Sequence, residues 1–334
     1  MLNKTYPVVL IFKNNNPSNN LLLFFYALIL KFPSFLEPFV PTADSMDGFL
    51  YRVILRRLTE LDIPSIFPVL SFILVYAQAI FLNRFVLTKR LNQRASYLPG
   101  MALILITSLI PEWEQFSSTL IANTFLVWVI SRLCILHNNA TPKTLIFNIG
   151  LSIGLSSFFY FPSLGFIILV LISLIISRPF FLQEWLLFFI GIVIPYYFFA
   201  SWVFLTDRTN NYQLPVIKVT RHLNFNNSWY FLAAAAMIIG ILAGIYFIRK
   251  NLLRQLVQIR KSWNIIFVYL IIAALVPFIN NGGIRLDYWI LTAIPAAFIL
   301  APAFVYPQKK WFPISLHWLF VAIILAFSYL GLVN

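Results

Sequence analysis

The apolar runs of this chain are too long and too unbroken for a water-soluble fold. Leu164–Ile176 reads LGFIILVLISLII and Leu319–Phe327 reads LFVAIILAF. A helix needs roughly 20 apolar residues to cross about 30 Å of hydrocarbon, whereas a membrane-spanning strand alternates apolar and polar residues over about 10. Neither run alternates, and in lipid such a run satisfies its backbone only through helical hydrogen bonds. The expected class is an all-α polytopic membrane protein. Charged residues make up 10% of the 334, against roughly 25% in soluble domains, too few to cover a soluble surface of this size.

Apolar runs and their breakers predict about eleven transmembrane helices, within a range of about ten to twelve. They fall near 19–40, 66–83, 97–110, 117–136, 144–161, 163–177, 186–205, 229–248, 264–279, 288–305 and 314–332. No repeat, linker or soluble insert interrupts them, so residues 1–334 read as a single integral membrane domain. Lys13-Asn14-Asn15-Asn16-Pro17 precedes a full-length apolar run with no small-residue cleavage site after it, which reads as a retained first helix rather than a signal peptide. The segment 46–61 differs from the spans. Phe49, Val53, Ile54 and Leu58 recur at helical spacing while Arg52, Arg56, Arg57 and Glu60 take the other face, the pattern of an interfacial amphipathic helix.

The net charge of +14 raises the question of nucleic acid, but the basic residues are scattered over short loops without a dense patch, and nucleic-acid binding is not expected. With a cytoplasmic amino terminus and strict alternation, 16 of the 24 Lys and Arg residues fall on the cytoplasmic side, as the positive-inside rule requires. Eleven spans would then leave the carboxyl terminus periplasmic, and the protein is expected to be a multi-pass protein of the cell inner membrane. Glu37, Asp44, Asp47, Glu60, Asp62, Glu112, Glu114, Asp207 and Asp287 all fall outside, and only Glu184 falls inside. Acidic residues have little influence on topology, so insertion alone does not explain this asymmetry. The basic cluster Arg249, Lys250, Arg254, Arg260 and Lys261 reads as inside charge attracted to anionic headgroups. Lys31, the one charge deep in a predicted span, has a stem long enough to snorkel outward.

Three outer loops carry candidate chemistry. Asp44 and Asp47 precede the amphipathic helix, where a carboxylate could activate a hydroxyl or help hold a divalent cation. The plainer reading has Asp44 or Ser45 capping that helix and Asp47 favouring its dipole. Glu112 and Glu114 flank Trp113 in a tight loop. They could share a metal or raise one another's pKa, or suit the first turn of the helix opened by Ser117, Ser118 and Thr119, with Trp113 as an interfacial anchor. Arg285 could hold a phosphate that Asp287 orients, or the two could form a local pair. Lys218 and Arg221 are further candidates for a donor phosphate. His137 and His317 have no second His or Cys nearby and make poor metal ligands, and the lone Cys134 reads as a small core residue. No metal site is expected from spacing, and a divalent cation is the only cofactor candidate.

The runs Asn83-Arg84, Leu98-Pro99, Ser108-Leu109-Ile110-Pro111-Glu112 and Leu120-Ile121-Ala122-Asn123-Thr124-Phe125-Leu126 resemble an uncharacterised Bacteroidetes family of multi-span inner-membrane proteins. So do Phe147-Asn148-Ile149-Gly150-Leu151-Ser152-Ile153-Gly154-Leu155, Phe159-Tyr160-Phe161-Pro162 and Glu184-Trp185. That resemblance implies an inner-membrane location and no particular chemistry. More loosely, the chain is similar to the C-type glycosyltransferases, whose first outer loop carries a catalytic acid before a membrane-parallel helix and whose second outer loop can carry another acidic motif. Asp44 or Asp47 matches the first and Glu112-x-Glu114 the second, while Gly150-Leu151-x-x-Gly154-Leu155 and Pro162 resemble their Gly-Leu-rich helix and turn. The resemblance implies a C-type-glycosyltransferase-like arrangement and a transferase acting on, or binding, a polyprenyl-linked or other lipid-linked sugar at an outward acidic cavity. A large outer domain is missing. The other expectation is a non-catalytic membrane subunit packing in a secretion, insertion or envelope-assembly complex. Either would have membrane lipids as partners.

Overall fold

The computed structural model describes residues 8–138, 141–207, 228–252, 255–279 and 285–330. Among these, the chain is helical. In order the helices are α1 (Val8–Lys13), α2 (Asn19–Leu30), α3 (Phe32–Leu36), α4 (Phe49–Thr59), α5 (Ile66–Lys89), α6 (Leu98–Thr107) and α7 (Ser118–Leu133). They continue with α8 (Pro142–Ser157), α9 (Ile167–Ser177), α10 (Leu182–Leu205), α11 (Ser228–Leu252), α12 (Val257–Leu275), α13 (Ala293–Val305) and α14 (Trp311–Leu330). Tight 3₁₀ turns at Phe161–Phe166, Val276–Phe278 and Leu286–Thr292 join or extend several of them.

Five segments are long and apolar enough to cross a membrane: 66–89, 182–205, 229–252, 257–278 and 286–305. Shorter apolar helices lie at 19–30, 98–107, 118–133, 161–177 and 311–327. This supports a helical membrane protein. The predicted apolar runs coincide with helices, but they resolve into five of full span length and others that are shorter. The run 19–40 is not one helix. It breaks at Lys31, where α3 begins with Pro33 in its first turn, because proline lacks the N–H needed to continue the preceding ladder.

The bundle is organised around two wholly buried helices. Every residue of α6 and of α13 is buried, and α5, α11 and α12 pack around them. On the periphery, α10 turns Val193, Tyr197, Phe198 and Phe204 outward. There α10 is held tightly to α8: a Cβ at Gly150 would collide with the Phe188 carbonyl, and one at Gly191 with that of Phe147.

Helix α4 is present and amphipathic, and its packed side takes in Phe49, Ile54 and Leu58 of the four apolar residues the spacing picked out. Tyr51 and Leu55 are buried against Phe67 and Phe116, with Ile54 and Leu58 beside them, while Val53 is exposed. The helix rests on the protein, over the start of α5 and the 111–117 loop. Its cap also differs: Gly48 is the N-cap and makes no side-chain cap bond, so neither Asp44 nor Ser45 serves as one.

Candidate functional site

The loop before α4 is fixed by backbone pairing with the turn after α8. The Gly48 N–H donates to the Phe159 carbonyl at 2.7 Å, Leu50 to Phe158 at 3.0 Å and, in return, Phe161 to Met46 at 3.1 Å. This approach leaves no room for a side chain at 48, since a Cβ there would strike the Phe158 carbonyl. Pairing so close to the backbone points the Asp47 side chain inward, and Asp47 is 5% exposed.

Both oxygens of the Asp47 carboxyl are engaged. Oδ1 accepts from the Ser118 hydroxyl at 2.5 Å and Oδ2 from the Asp44 N–H at 2.7 Å. Asp44 accepts at Oδ1 from the Ser45 N–H at 2.6 Å and at Oδ2 from the Tyr288 hydroxyl. Arg52 Nη2, from α4, donates to the carbonyls of Asp44 and Ser45, each at 3.0 Å, and locks the loop. Opposite them, Arg285 Nε pairs with Asp287 Oδ1 at 3.1 Å. The 286–290 turn is held on α7 and its leading loop by three bonds to carbonyls: Trp113 Nε1 to Leu286 at 2.8 Å, Thr119 Oγ1 to Asp287 at 3.1 Å, and Asn123 Nδ2 to Ile290 at 2.8 Å.

Asp44, Asp47, Ser118, Arg285, Asp287 and Tyr288 line one narrow cleft with Pro41, Thr42, Tyr51, Gln115 and Phe116, of about 10 Å³, room for about one water. Three segments far apart in sequence, around 44–47, 115–118 and 285–288, thus meet at one end of the bundle. Electrostatics separates the two acids of the first loop. Burial pushes the Asp47 carboxyl up to about 6, the bonds from Ser118 and Asp44 offsetting only part of it, and the charges of Asp44 and Asp287 push the same way. Burial also raises Asp44, but the donors Tyr288 and Ser45 and the Arg285 charge outweigh it and leave that carboxyl below its ordinary value. The two neighbouring carboxyls thus shift in opposite directions, one set by burial and the other by its donors and the nearby guanidinium.

Glu112 and Glu114 take partners away from this cleft. Glu112 Oε1 accepts from the Tyr230 hydroxyl of α11 at 2.5 Å. Glu114 pairs with Lys31 at 3.6 Å, and burial raises its carboxyl despite that charge. Lys31 is 1% exposed and its ammonium also reaches the Thr107 carbonyl at 3.4 Å. It does not snorkel, because the break after α2 aims it at the loop between α6 and α7. Trp113 is likewise buried rather than anchored at an interface. Lys218 and Arg221 lie outside the described residues.

The sequence reading missed Ser118, Tyr288 and Tyr51. Ser117 does cap α7, accepting from the Leu120 N–H; the neighbouring Ser118 looked like more of the same, and only the tertiary fold turns it toward Asp47. Tyr288 follows the Arg285/Asp287 pair directly and could have been drawn in with it. Among the described residues, no group of three or more His, Cys, Asp or Glu side chains could hold a metal ion.

Residues 47–334 match a family of unknown function, DUF6427, and no curated protein or solved structure matches the chain significantly. The match carries no activity or source organism with it and adds nothing to the likeness to C-type glycosyltransferases. It covers most of the chain, which belongs to this family.

Proposed function

For this member of a family without an assigned activity, we propose a membrane-interface transferase that takes a lipid-linked sugar phosphate at the cleft of Asp44, Asp47, Arg285 and Asp287. The observation that carries the reading is the meeting of the Asp47 carboxyl and the Arg285 guanidinium in one cleft, with burial pushing that carboxyl up to about 6. A base is most useful when its pKa lies near the working pH. In the proposed step, Asp47 removes the proton of an acceptor hydroxyl as that oxygen bonds to the anomeric carbon. The bond from that carbon to the phosphate oxygen breaks, and the lipid phosphate departs with the electron pair. Arg285, its side chain 39% exposed beside Asp287, stabilises the departing charge through its free N–H groups. Asp44 stays ionised and holds Asp47 through its backbone N–H. This reading places the cleft on the outer face of the inner membrane, with the amino terminus cytoplasmic and a C-type-glycosyltransferase-like fold.

The test compares lipid-linked sugar pools and envelope glycans in a deletion strain and in an Asp47→Asn strain. Donor should accumulate equally in both; unchanged pools in the deletion strain would end the enzyme reading. The narrowness of the cleft favours a second reading, a non-catalytic subunit of a membrane complex. Purification in mild detergent with a stoichiometric partner, and normal sugar pools on deletion, would establish that one instead.

A further inference from the structure

Three consecutive hydroxyl residues stand at the start of α7, and each is spent on a different partner. Ser117 caps the helix through the Leu120 N–H. Thr119 donates to the Asp287 carbonyl at 3.1 Å. Ser118, buried between them, turns its hydroxyl to Asp47 Oδ1 at 2.5 Å. Serines near a helix start commonly serve the local backbone; this one reaches a carboxyl 71 residues earlier in the chain.

The bond does more than satisfy a buried oxygen. A carboxyl turns about its Cβ–Cγ bond in a broad, roughly two-fold well, so its plane is fixed only when both oxygens are held. Here the Asp44 N–H holds Oδ2 at 2.7 Å from the same short loop, and Ser118 holds Oδ1 from the opposite wall of the cleft. An ionised carboxyl has about four acceptor positions over its two oxygens. Two are used by these donors, and the rest face directions that the two tethers set. Of the influences that oppose burial at this carboxyl, the Ser118 hydroxyl is the largest.

We propose that Ser118 is a positioning residue that fixes the plane of the Asp47 carboxyl from which the acceptor proton is taken, a role that rests on the transferase reading of the cleft. The ionisable groups around Asp47 are Asp44 on its own loop, Arg285, Asp287 and Tyr288 on the opposite turn, Tyr51 of α4 and Tyr160 after α8. All of them remain in a Ser118 variant, so a change in Asp47 reports the loss of this one bond.

The experiment follows the Asp47 carboxyl band of the full chain, purified in mild detergent, by difference infrared spectroscopy across pH. Ser118→Ala should bind the Asp47 proton about 10-fold more tightly, moving the midpoint up by about one pH unit. Ser118→Cys, close in shape but with a weak S–H donor, should move it the same way by less, and carries the comparison if the alanine variant does not fold. Ser131→Ala, which removes a hydroxyl bonded to the Trp128 carbonyl in the last turn of the same helix, should titrate as the parent does. In cells, Ser118→Ala should accumulate lipid-linked donor to a level between the parent and Asp47→Asn. Ser118 variants that titrate as the parent does overturn the proposal, and donor accumulation in Asp47→Asn would then leave the transferase reading standing without it. A moved midpoint with normal sugar pools on deletion would instead end the transferase reading, and the positioning role with it, leaving the bond as a structural one.

Discussion

The loop before α4 and the loop between α6 and α7 each present two carboxylates within a few residues, and the fold treats them in opposite ways. Glu112 and Glu114 are claimed by other helices: Tyr230 of α11 holds one and the buried Lys31 after α2 neutralises the other. Asp44 and Asp47 are held by hydroxyls and backbone N–H groups, and among the described residues no ammonium or guanidinium pairs directly with either carboxyl. A buried carboxylate with an opposite charge against it is bound into the architecture. One solvated only by neutral donors keeps its proton chemistry available.

If that contrast is correct, the largest effect belongs to Asp47→Asn. It removes the proton acceptor while leaving most packing in place, and should lower transferase turnover by about 10² to 10⁴-fold, read from accumulation of the lipid-linked donor. Next in size, Lys31→Met strands Glu114 in a buried site and should destabilise the protein by about 3 to 5 kcal/mol in detergent unfolding. The double change Lys31→Met/Glu114→Gln should recover most of that loss, and failure to recover would show that the pair is not what the second loop depends on.

A smaller effect is a pH dependence. The folded Asp47 carboxyl, at about 6, lies above its ordinary 3.8, so the folded state binds that proton more tightly than the unfolded chain does. Ionising it costs stability. Its contribution is most favourable below pH 3.8 and declines as pH rises to about 6. Thermal unfolding of wild type against Asp47→Asn across that window should show a steeper decline in wild type, and activity should fall as pH drops through the same value. Smallest is Glu112→Gln. The Tyr230 hydroxyl can still donate to the amide oxygen, so stability should change by less than about 1 kcal/mol with sugar pools unaltered.

Much of this was legible in the chain itself, and the boundary has a physical origin. Hydropathy located the helices because burial in lipid acts on contiguous residues. The amphipathic segment before α5 was legible from its charges, and the Arg285/Asp287 pair from proximity in sequence. What escaped were pairings across long separations. Lys31 and Glu114 meet only because Pro33 breaks the first apolar run, and Ser118 reaches Asp47 only because residues 46–50 lie along the turn at 158–161. The side of α4 that is buried depended on Phe67 and Phe116, neither of which its own periodicity could supply.

The central claim is that Asp47 is a proton acceptor poised at a phosphate-binding cleft, and difference infrared spectroscopy of the purified protein reads it directly. A protonated-carboxyl band absent from Asp47→Asn should titrate near pH 6, and adding polyprenyl phosphate should move its midpoint upward as negative charge enters beside it. A midpoint in the ordinary carboxyl range, or one that polyprenyl phosphate leaves unmoved, would contradict the account.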